Sequence, residues 1–111
     1  MDTMWVVGVG HAVGLVNREH AMPGEEYFHA SFSKRMVDEQ IPIQVPADTF
    51  FNGKVGEGLL RVIEDNTKAA RKALAYWTKV EKERDDGLSA MEAYYRKCAQ
   101  EVARKSKSED L

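Results

Sequence analysis

The chain has 111 residues, 43% of them hydrophobic and 31% charged, enough for one domain with a modest core. Its formal charge of -2 creates no field that would hold nucleic acid or an anionic membrane without specific contacts. The single cysteine, Cys98, forms no intramolecular disulfide, and the longest apolar run is about 12 glycine-broken residues against the roughly 20 of a membrane span. With no basic n-region before that run, neither a signal peptide nor a membrane segment is expected, and the chain reads as cytoplasmic.

The predicted class is α+β in a single domain 1–111. A small N-terminal antiparallel sheet of about three strands occupies 1–54, an antiparallel helical hairpin with one long helix occupies 55–105, and 106–111 is a frayed tail.

The first element is the stretch WVVGVGHAVGLV, Trp5 to Val16. A dinucleotide fingerprint needs a third glycine where Val13 stands, and Pro23-Gly24 intervenes before a crossover helix could form, so a phosphate loop is rejected. With period two, Trp5, Val7, Val9, His11, Val13 and Leu15 share one face. Val6, Gly8, Gly10, Ala12, Gly14 and Val16 share the other, which predicts close approach of a helix or second chain to the glycine face. The stretch 17–26 is a turn-rich connector. In YFHASFSKRMV, residues 27–37, the period does not separate strand from helix, and the aromatics and serines favour strand. DEQ then reads as a tight connection to IPIQV, where Pro42 confines the strand to an edge. A meander of three strands follows.

DTFFNGKVGEG, Asp48 to Gly58, reads as a loop before the long helix. It combines aromatic rings, an Asn-Gly turn and Lys54 beside a helix start, where free N–H groups attract anions. It is not a Walker A loop, because Val55 follows Gly53-Lys54. Phe51, Asn52 and Lys54, joined by Arg18, Arg35, His29 and Arg61, form the candidate ligand-binding set, against a plain hydrophobic plug and turn.

The helical pattern that follows has a four-three seam, Leu59, Ile63, Asn66, Ala70, Ala73, Trp77 and Val80. Gly87 after RDD predicts a left-handed stop, and Ser89 with Glu92 a capping box opening the second helix, whose stripe is Met91, Tyr95, Cys98 and Val102. The first helix, about 55–85, would be roughly 45 Å long and the second, about 89–105, roughly 25 Å. That mismatch leaves Leu59 to Thr67 uncovered, and with polar Asn66 in the seam it predicts a homo-oligomer whose interface uses Leu59, Ile63, Asn66, Ala70 and Trp77.

No catalytic signature is found. Three histidines, His11, His20 and His29, lack a ligand spacing, so no metal or cofactor is expected. A seam thiol at Cys98 would be inert, and Ser31 and Ser33 beside His29 are ordinary for a wet sheet face. The expected function is therefore a non-enzymatic, oligomeric binding protein of adaptor, inhibitor or ligand-sequestering type. It would hold a protein partner or a small anionic, nucleotide-like ligand at the sheet, the 48–58 loop or a subunit interface. The alternative is a small enzyme with a cleft shared between subunits, using His11 or His29 for acid–base chemistry and Lys54 or Arg35 for an oxyanion. Nucleic-acid binding through the helices is disfavoured by their balanced charge.

Overall fold

Strand β1, Thr3–Gly8, organises the first of two units, Met1–Ile63 and Glu64–Leu111, in a computed structural model that describes residues 2–10, 13–17 and 28–109. Residues 13–17, 28–31 and 106–109 are described through their backbone. Strand β4, Ile43–Pro46, flanks β1 on one side and β5, Leu60–Ile63, on the other, both antiparallel. Trp5 faces Gln44 in one ladder and Ile63 in the other. Because β1 is central, both its edges are hydrogen-bonded and all of Met4 to Gly8 is buried. That explains a nearly continuous apolar run where one wet face would produce alternation.

The expected three-stranded antiparallel sheet followed by an antiparallel helical hairpin is present, but its strands are not a meander. Gly10, at φ 85, turns the chain out of β1. Strand β2, Val13–Asn17, pairs with β3, Phe28–Phe32, in a separate two-stranded sheet, Leu15 opposite Ala30. The stretch from Trp5 to Val16 thus belongs to two sheets and has no common face.

The expectation of a helix close against glycine holds at Gly8. A Cβ there would lie 3.1 Å from both Phe32 Cγ and Val37 Cγ2, and Val37 belongs to helix α1, Lys34–Glu39. Both neighbours descend onto the space a side chain would occupy. Gly8→Val is therefore expected to overpack the sheet and destabilise the chain by about 1–3 kcal/mol. A denaturant midpoint equal to that of the wild type would contradict it.

Residues 27–37 divide between the two predicted alternatives. Ser33 ends β3 and caps α1, its Oγ accepting from Met36 N at 3.2 Å. Lys34–Asp38 at 2.6 Å and Arg35–Glu39 at 2.8 Å then brace the short helix one turn apart. DEQ is accordingly the end of α1, with Gln40 in the left-handed region at φ 54. Strand β4 lies at a sheet edge, as expected, although Pro42 precedes the strand and it is Pro46 that lies within it.

Two corrections concern residues 48–66. The 48–58 loop is helix α2, Thr49–Gly56, begun by Asp48, whose Oδ1 accepts from Phe51 N at 3.0 Å. The long helix does not start at 55. After Gly58, at φ 80, the chain forms β5, and α3 runs only over Asn66–Glu83 behind its own cap, Asp65, which accepts from Lys68 N at 3.0 Å. Leu60 and Val62-Ile63 suit a strand once Gly56 and Gly58 have broken the helical period before it and the Asp65 cap starts a new helix after it.

In the second unit, α3 packs on α4, Ala90–Glu109, which continues past the predicted end at 105. Eighteen residues face twenty, roughly 27 Å against 30 Å, so the predicted mismatch of lengths is absent. Ala70, Ala73, Trp77 and Val80 of the predicted seam are buried, whereas Asn66 is exposed at the first helical position. On α4 the buried row is Tyr95, Ala99 and Ala103, one position from the predicted stripe beyond Tyr95.

The turn is as expected. Gly87 takes φ 72, Ser89 N donates to Glu92 Oε1 at 2.9 Å, and Glu92 N donates to Ser89 Oγ at 3.2 Å. Arg84 Nη1 adds a 2.6 Å ion pair to the same carboxylate. Burial pushes the Glu92 pKa up, but the Arg84 and Ser89 hydrogen bonds outweigh it and hold the carboxyl below its ordinary value near 4.5. A depressed carboxylate stabilises the fold above its unfolded pKa and loses that contribution as pH falls through the folded one. The thermal midpoint of the wild type is therefore expected to exceed that of Glu92→Gln at neutral pH, with the gap closing as pH drops below about 4.5. A gap independent of pH would contradict it.

Candidate functional site

In the sheet unit, the three described cations of the candidate set, Lys54, Arg35 and Arg61, each pair with a different residue. Lys54 pairs with Glu57 at 3.2 Å and sits 5.4 Å from the Phe50 ring centroid. Arg35 is bound to Glu39 on α1, and Arg61 Nη2 on β5 donates to Gln40 Oε1 at 3.1 Å. Phe51 is fully buried rather than offered to a ligand, and Asn52 is exposed on α2. The long-helix start expected near 55 to attract an anion falls inside α2, and the helices that form instead, α2 and α3, each open on a carboxylate, Asp48 and Asp65. A fixed negative charge there satisfies the free N–H groups and repels a second anion.

Arg18, His11 and His20 lie outside the described residues, and His29 is placed on β3 by its backbone. Among the described residues no group of three or more His, Cys, Asp or Glu side chains could hold a metal ion. No helix among them is long and apolar enough to cross a membrane. Cys98 is half-buried, and burial raises its thiol pKa, opposed by a hydrogen bond with Tyr94. The neutral thiol that results is a poor nucleophile.

Of the predicted interface residues, Leu59 and Ile63 are half-buried in the sheet unit, at the turn before β5 and at its last position. Asn66, Ala70 and Trp77 belong to α3. The five do not share one helix.

One concave feature of the helical unit is built from other residues. A groove of about 530 Å³ is lined by Arg71, Leu74 and Ala75 of α3 and by Gln100, Ala103 and Arg104 of α4. Beside it, the buried side chains of the hairpin seam become smaller away from the turn. Trp77 lies 6.2 Å from Tyr95 by ring centroid and 4.8 Å from Tyr76, filling the middle of the pair with aromatic rings. Stepping one turn at a time toward the open end, α3 offers Ala73 and Ala70 and α4 offers Ala99 and Ala103, all buried. Methyl groups let the backbones meet but do not extend past the seam. Leu74 and Ala75 beside the seam, with Ala103 at its margin, are left as a floor between two arginines, one from each helix.

Chemically, such a groove can bury apolar side chains and hold carboxylates at its rim. Sequence reading missed it because its residues flank the seam. The available signal was the run of alanines at 69, 70, 73, 75, 99 and 103 against aromatics at 76, 77 and 95.

No protein-family model matches the chain, and no curated protein or solved structure is similar to it.

Proposed function

We propose that the chain is a non-enzymatic binding module, an adaptor, inhibitor or sequestering protein, that docks its partner at the open end of the helical hairpin. The observation that carries this reading is the groove itself: concave, apolar at its floor, and bordered by Arg71 and Arg104. Its volume lies in the range of sites that accommodate ligands. The 48–58 segment contributes less to this reading than expected, because Phe51 is in the core and Lys54 is ion-paired. A reducing, cytoplasmic setting fits the half-buried, protonated Cys98.

Titration with small apolar carboxylates such as octanoate, followed by amide chemical shifts, tests the docking surface. Shifts should centre on residues 71–75 and 100–104 and disappear in Ala75→Trp, an exposed position whose indole would fill the groove. Shifts centred elsewhere, or unchanged by that substitution, would remove the reading. Self-association belongs to the same proposal only through a second copy seated at this groove. Light scattering at high micromolar concentration decides it, and a monomer removes it.

A further inference from the structure

We draw no further inference here: the strongest candidate, the outer edge of β5, where the register with β1 turns the backbone N–H and C=O groups of Leu60 and Val62 outward as a template for a further strand, carries nothing, because Leu60 is only 2% exposed and nothing in the structure shows what covers it.

Discussion

Replacing Trp77 with alanine is expected to destabilise the helical unit by about 3–5 kcal/mol, while replacing it with phenylalanine should cost less than about 1 kcal/mol. Trp77 is 1% exposed, the largest buried side chain of the hairpin, and it meets Tyr76 edge-on and Tyr95 at a tilt. Alanine removes that whole contact surface and leaves a cavity between two helices that cannot close without losing register. Phenylalanine keeps most of the ring and also deletes a liability. Among the described residues, the indole Nε1 atoms of Trp5 and Trp77 are buried without a hydrogen-bond partner. An unpaired buried donor costs about 1–3 kcal/mol, which offsets much of the lost ring. Denaturant unfolding followed by far-UV circular dichroism measures both variants. A phenylalanine variant as unstable as the alanine variant would show that the indole N–H is satisfied.

Phe51→Ala should cost a similar amount, about 3–5 kcal/mol, and its effect should spread beyond its own helix. Helix α2 contains Gly53 and Gly56, each unfavourable by up to about 1 kcal/mol relative to alanine, so its residues alone do not favour a helix. Burial of Phe51, edge-on to Phe50 at 5.0 Å, together with the Asp48 cap, supplies what propensity lacks. The end of α2 in turn holds the entry to β5, through Leu59 N donating to Lys54 O at 3.1 Å. In the alanine variant, amide hydrogen exchange should therefore accelerate across residues 49–63, with the amides of α3 and α4 unaffected. Exchange confined to α2 would refute the link to β5, and an unchanged unfolding midpoint would return Phe51 to the candidate ligand set.

The two variants also probe how the sequence was read. In the sequence Phe51 reads more readily as a plug than as a stacking surface, but both need an aromatic beside glycine. What separates them is whether hydrocarbon from distant parts of the chain closes over the ring. Lys54 and Arg61 pose the same difficulty. Lys54 has its carboxylate three positions away, where a local reading could have found it, but Arg61 meets Gln40 only because β5 lies beside the strand that α1 approaches.

The sequence by itself determined the class, the turn with its Gly87 and its Ser89–Glu92 box, and the seam from Ala70 to Val80. Each depends on residues within about one or two helical turns or on a single backbone restriction, so the needed partners are close in sequence. Tertiary structure decided that β1 sits between β4 and β5, that a glycine-bearing segment becomes α2, and that the predicted long helix yields to β5 before Asp65. It also made a groove out of alanines from two helices. These outcomes depend on side chains tens of residues apart meeting across a sheet or a helix pair, where the burial gained outweighs local propensities of about 1 kcal/mol.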